Sequence, residues 1–414
     1  MNNRLLRANR APWIRLSLLL CIFSFRGYAS EVPSMPKESD NLNLSFSLEL
    51  EERYNNNIYA DDSFAVSDWA AIIVPALAAE FDMDAVRLSL DLGVESAFYR
   101  TNSLEDYTDG WLKLGALVVA DNTTHFMLAT GYHLKHEERT SPNDIRRTLS
   151  PVVYDIKDVS IGLLHQRGDY KLRAGIIQEA WRYEDGASLE GPVYNGDRDR
   201  DIRSIALRLE RRHTKDFSWF LQASGEQRIY QQTTDDAGFR RDSDGFRSAV
   251  GIHLKQGDTF DFEAYLGWLG QEYKEPAFNR LSAVDFALNI YWQPREKWQL
   301  SLSSDRTLNE TTLIDSSGYL ETALDLDISY QLTSSTHLTL FSGLALFDYL
   351  DTTRKDKTNF AGVAADYQIG KFASLRAQAD WSKNRTDGGG SPIGEVGSND
   401  YTMKRILLSL DIIL

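Results

Sequence analysis

The chain is 414 residues long and acidic, with 45 Lys and Arg against 60 Asp and Glu and a formal net charge of −15. Acidity of this size argues against nucleic acid as a partner, and no apolar run beyond the N-terminus approaches the roughly 18 residues of a membrane helix. A mean hydropathy of −0.38 does not exclude membrane strands, because alternation halves the apolar content of each one.

At the N-terminus, Arg4, Arg7, Arg10 and Arg15 precede an apolar stretch from Leu16 to Phe25, and Gly27-Tyr28-Ala29 offers a cleavage site after Ala29. Residues 1–29 therefore read as an export signal. A lipoprotein signal using Cys21 is the rival, and the bulk of Leu20 beside the cysteine weighs against it. Cys21 is the one cysteine, so no disulfide framework or thiol chemistry is expected after cleavage. Losing the signal's five arginines would take the net charge to −20. Residues 30–40, with two prolines and mixed charges, form a short periplasmic lead, too small to be a plug.

From residue 41 the pattern has period two. Leu42, Leu44, Phe46, Leu48 and Leu50 give a first strand, Trp69 to Phe81 a second with Pro75 suggesting a bulge or a bend, and Val86 to Val94 a third. The fourth runs from Leu112 to Ala120, and the fifth carries Phe126, Leu128, Tyr132 and Leu134. Ile156 to Gln166 and Tyr170 to Tyr183 flank Gly168-Asp169. Ile205 to Leu209, Phe217 to Ala223, Phe246 to Leu254 and Phe260 to Gly270 follow. Val284 to Trp292 turns at Gln293-Pro294-Arg295 into Trp298 to Leu302. The clearest pair is Leu320 to Leu332 and Leu338 to Leu346, and Ala361 to Ile369, Leu375 to Trp381 and Tyr401 to Leu414 complete the series.

The count is about eighteen, and links after odd-numbered strands are long and polar while links after even-numbered ones are tight turns. A soluble solenoid or sandwich has no reason to sort its loops in this way. The expected fold is all-β, a transmembrane antiparallel up-and-down barrel over residues 41–414, with short periplasmic turns, longer extracellular loops and an outer-membrane location.

Two stretches carry a resemblance. Arg53-Tyr54-Asn55-Asn56-Asn57-Ile58-Tyr59 follows the first strand, and Tyr291-Trp292-Gln293-Pro294, Leu300-Ser301-Leu302-Ser303, Asn309-Glu310-Thr311-Thr312 and Ser317-Gly318-Tyr319-Leu320 come in order later. They resemble the outer-membrane β-barrel porins of exopolysaccharide gene clusters, over most of the chain from Leu42 onward. Such barrels commonly end in an aromatic residue, and this sequence departs from that with Leu414. The resemblance implies export or assembly of an extracellular polysaccharide and supplies no catalytic residues.

His133 and His136 have opposite parity, and the arginines inside Gly196-Asp197-Arg198-Asp199-Arg200-Asp201 would neutralise a calcium loop, so neither metal nor cofactor is expected. No Gly-x-Ser-x-Gly elbow or triad is apparent, and the chain reads as no enzyme. The inward parity instead collects Arg87, Asp91, Glu95, Arg173, Glu179, Arg208, Glu210, Gln222, Glu226, Gln378 and Phe347 on a wet wall. Tyr183, Phe220, Tyr230, Asp261, Glu263, Tyr265, Tyr291, Asp325, Asp327, Phe341 and Asp380 share that parity and are candidates for a sugar path, with rings to stack on C–H faces and carboxylates to accept hydroxyl hydrogens. The alternative for these rings is rim packing. The expected function is a passive conduit for an exported polysaccharide. Its partners would be outer-membrane lipid, periplasmic or inner-membrane export proteins and the barrel assembly machinery. A general or small-solute porin and a barrel-embedded hydrolase are the alternatives.

Overall fold

A computed structural model describes residues 41–144, 148–388 and 400–414. The export signal, the lead segment 30–40 and Cys21 lie outside the described residues. Eighteen strands form one closed antiparallel sheet in which each strand pairs with its neighbours in the chain. The first seven are β1 (Asn41–Asn55), β2 (Asp68–Met83), β3 (Val86–Tyr99), β4 (Tyr107–Val119), β5 (Thr124–His136), β6 (Val153–Arg167) and β7 (Tyr170–Tyr183). A small hairpin, β8 (Gly186–Ser188) and β9 (Gly191–Val193), sits in the next loop. The barrel resumes with β10 (Arg200–Arg212), β11 (Phe217–Tyr230), β12 (Ser243–Gln256), β13 (Phe260–Tyr273), β14 (Leu281–Arg295) and β15 (Trp298–Asn309). It ends with β16 (Tyr319–Gln331), β17 (Thr336–Tyr349), β18 (Lys355–Ile369), β19 (Ala373–Asp387) and β20 (Tyr401–Ile413). Pairing of Ser47 with Ile413 through Asn55 with Arg405 joins β1 to β20 and leaves no free edge.

The side chains explain the closure. The even positions of β1 and the matching parity of every other strand point outward, and there the large apolar residues stay open, as with Leu44 at 62%, Ile161 at 55% and Leu266 at 62% exposure. An apolar band of this extent is satisfied by lipid, while ladder bonds around a closed sheet satisfy the backbone inside it. Aromatic residues mark its borders, with Trp69 and Trp381 toward the long loops and Trp292, Trp298 and Tyr367 toward the short turns. Turn glycines Gly168, Gly257 and Gly370 have φ near +60°, which a side chain would resist.

The observed strands of 12 to 16 residues run past the apolar stretches of the sequence, because the polar ends continue the ladder. Two local expectations are corrected. Pro75 makes no bulge: the register across β2 and β3 is unchanged on either side, and pairing merely lapses at Val74 and Pro75, where the N–H is missing. The shift lies instead between Trp292 and Arg295, so β14 runs through the expected Gln293-Pro294-Arg295 turn and reverses at Glu296-Lys297.

Candidate functional site

The long loops gather at one end, and several fold inward over the lumen. The β5–β6 loop and the β15–β16 loop spring from nearly opposite walls, with eight barrel strands between them one way round and ten the other. They nevertheless meet. Asn143 donates through Nδ2 to the Glu310 carbonyl at 3.4 Å, accepts from the Thr312 N–H at 3.2 Å, and offers its own carbonyl to Thr312 Oγ1 at 3.1 Å. Leu313, only 1% exposed, packs with Tyr319, Phe347 and Tyr349 beneath that clasp.

Charged groups brace the same place. Arg198, in the loop before β10, donates to both oxygens of Glu137 at 3.0 Å and through Nε to Glu310 at 3.2 Å, while Arg200 pairs with the other oxygen of Glu310. Burial, the largest influence on Glu310, pushes its carboxyl up, and Arg200 and Arg198 together overcome it and hold the group below its usual range. Arg139 grips Glu105 with two bonds of 2.8 and 2.7 Å and reaches Asp144 at 3.4 Å. Burial pushes the Asp144 carboxyl up to about 7, against the pull of Arg139.

Below the clasp, β7 and β10 to β15 enclose a cavity of about 160 Å³. Three of its arginines are matched to acids, Arg208 with Glu263 at 3.0 and 2.8 Å, Arg228 with Glu226 at 2.7 Å, and Arg247 with Asp285 at 3.2 Å, while Arg306 bonds Thr322 and the Val284 carbonyl. Inward parity picks out Arg208, Glu226 and Glu263, the loop motif names Arg200 without placing it in the lumen, and Arg228, Arg247 and Arg306 are left out. Parity was available to find Arg228 and Arg247, since Arg228 stands two residues from Glu226.

The eleven sugar-path candidates all take inner positions but do not form one site. Tyr183 lies under Arg198, 4.0 Å from the ring centre, and stacks on Tyr154; Phe220 is fully buried, with Arg208 3.5 Å above its centroid. Those rings already have partners. Tyr230 belongs to the brace, its hydroxyl 3.5 Å from Glu310. Glu263 and Tyr265 line the cavity. Asp261 and Tyr291 face each other near the short turns, and Asp261 accepts from His253 at 3.0 Å in one tautomer. On the opposite wall, Asp327 pairs across to Phe341, Asp325 to Gly343, and Asp380 to Gly362, which in turn faces Phe341. Four candidates thus come together there.

His136 stacks on Tyr107 at 3.7 Å and bonds Asp109 at 2.9 Å, while His133 approaches Asp158 at 3.6 Å. Among the described residues no three His, Cys, Asp or Glu side chains are grouped to hold a metal ion.

A family model described as "Putative beta-barrel porin 2" matches residues 44–412. No curated protein sequence matches the chain. Among solved structures, OpdO of Pseudomonas aeruginosa is 15% identical with a TM-score of 0.49, covering 90% of this chain and 98% of its own. OccAB3 of Acinetobacter baumannii is 11% identical with a TM-score of 0.46, covering 90% and 99%. The siderophore receptor PirA of the same organism is 8% identical with a TM-score of 0.44, covering 92% and 81%.

Proposed function

Because the chain belongs to the Putative beta-barrel porin 2 family, we propose that it is an outer-membrane conduit through which a Gram-negative cell passes an extracellular polysaccharide. The observation that carries this is the meeting of loops across the mouth. A general diffusion porin works with a lumen open at all times, whereas loops bonded from opposite walls suit a channel opened by its cargo. Three hydrogen bonds at about 1 kcal/mol each make the Asn143 clasp worth about 3 kcal/mol, so that with the ion pairs bracing it the open form is at most on the order of 1% of molecules. Polymer arriving from the periplasm must favour the open form about a hundredfold to bring it to half of the molecules, which many contacts along a chain can supply together.

In this reading residues 1–29 direct export, residues 30–40 are a short periplasmic lead, and the assembly machinery inserts the barrel. Periplasmic or inner-membrane export proteins deliver the polymer, and the chain itself performs no chemistry. A second reading, a small-solute porin, is favoured by the 160 Å³ cavity with its matched charges. Deleting the gene separates them. Loss of secreted polysaccharide with normal growth on small sugars supports the conduit. Normal secretion with slowed uptake of small solutes supports the porin.

A further inference from the structure

Two phenylalanine rings on the inner wall lie over glycines of the neighbouring strand, and the strand pairing shows why. Phe341 of β17 stands opposite Gly362 of β18, and Gly343 of β17 stands opposite Phe360 of β18. A Cβ on either glycine would fall within the facing ring, so each ring fills space that the neighbouring strand leaves empty. The exchange is reciprocal and sets the two rings on adjoining strands, offset by two residues, both only half-buried. A ring resting on backbone keeps its other face for the lumen.

Carboxylates continue the same cross-strand rows. Asp327 faces Phe341 from β16, and Asp380 faces Gly362 from β19. Asp380 is committed to Arg405 at 2.9 Å. Asp327 has neither a hydrogen bond nor an ion pair among the described residues, and the charges that reach it at longer range are Asp325 and Arg376.

We propose that Phe341 and Phe360 form a stacking platform for a hexosamine unit of the passing glycan, with Asp327 as counter-charge to its ammonium. The proposal rests on the polysaccharide reading and narrows its substrate. The ring faces carry negative quadrupole charge, which attracts both the C–H face of a pyranose and a nearby cation. A carboxylate held in no ion pair beside those faces completes the match to an amino sugar. The acid excess of the chain as a whole opposes entry of polyanions.

The test uses the full-length barrel in detergent and three probes: a glucosamine pentamer at a pH where it is charged, its N-acetylated counterpart, and a galacturonate pentamer, each measured by calorimetry. The wild type should bind them in that order of affinity. Phe341→Leu and Phe360→Leu, which keep an apolar side chain over the glycine, should each weaken the glucosamine pentamer roughly tenfold, and Phe341→Tyr should retain it. Asp327→Asn should bring the amine and N-acetyl forms to equal affinity, a change that gap-filling alone does not produce. Unheated electrophoretic migration reports whether each variant is folded. Folded leucine variants with unchanged binding, or a wild type without preference among the probes, would overturn the platform. If the pentamers behave as expected and a deletion strain still secretes its polysaccharide, the export reading fails and the platform stands as a lumen saccharide site. If secretion is lost and the probes do not bind, the platform alone fails.

Discussion

Glu310 is 8% exposed and touches two guanidinium groups that are buried as deeply, so its charge is maintained by them rather than by water. Replacing one member of such a group strands the others; the cost of an uncompensated buried charge is about 3 to 5 kcal/mol. Glu310→Gln should therefore release the β15–β16 loop more than it destabilises the barrel, since the strands keep their ladders. The expected outcome is more frequent opening in planar bilayers with little change in the urea midpoint. Asp144 acts in the other direction. With its carboxyl raised from 3.8 to about 7 in the packed loop, the packed form binds more protons than a released one between those values. Its contribution to packing is full below 3.8 and is lost as pH rises through 7. Opening should be rarer near pH 6 than near pH 8, and Asp144→Asn should flatten that difference; an unchanged slope in the variant would assign it to another group. Neither behaviour was legible in the sequence. Asp144 sits in a polar loop like many others, and only its contact with Arg139 and burial by the folded loop set it apart.

At the scale of the strand, legibility was high because alternation is a local property. Leu340 and Phe341 are neighbours in the chain, yet Leu340 is 57% exposed on the outer face while Phe341 turns to the lumen. Their environments predict opposite tolerances. Leu340→Arg puts a charge against lipid and should cost about 2 to 4 kcal/mol near the bilayer middle, whereas Thr339→Arg points into water and should cost about 1 kcal/mol or less. Equilibrium unfolding in lipid vesicles measures both, and equal costs would contradict the assignment of faces. What alternation could not show was which inner residue lies beside which. Phe360 lies before Ala361 to Ile369, the outward residues by which its strand is legible, and its place depends on Gly343 of the strand before. The same limit hid Pro75, whose effect was decided by the register of two ladders rather than by its own type.

For the molecule as a whole, the number of strands and the sorting of loops by length were readable, but the meeting of the loops was not. Asn143 and Thr312 are 169 residues apart and come within hydrogen-bonding reach only once the sheet has closed on itself. If that clasp is the gate, fixing it should stop passage without disturbing the barrel. The sequence offers a clean background, because its one cysteine, Cys21, precedes the barrel. Asn143→Cys combined with Thr312→Cys, joined by a short bifunctional thiol reagent with a cleavable link, should abolish polysaccharide release from cells, and reductive cleavage should restore it. Each single variant loses part of the clasp and should instead leak small ions, because a bond worth about 1 kcal/mol shifts the open population several-fold. Release that continues through the cross-linked protein would mean that the polymer leaves by another route, and the loops would then be a static lid over a small-solute channel.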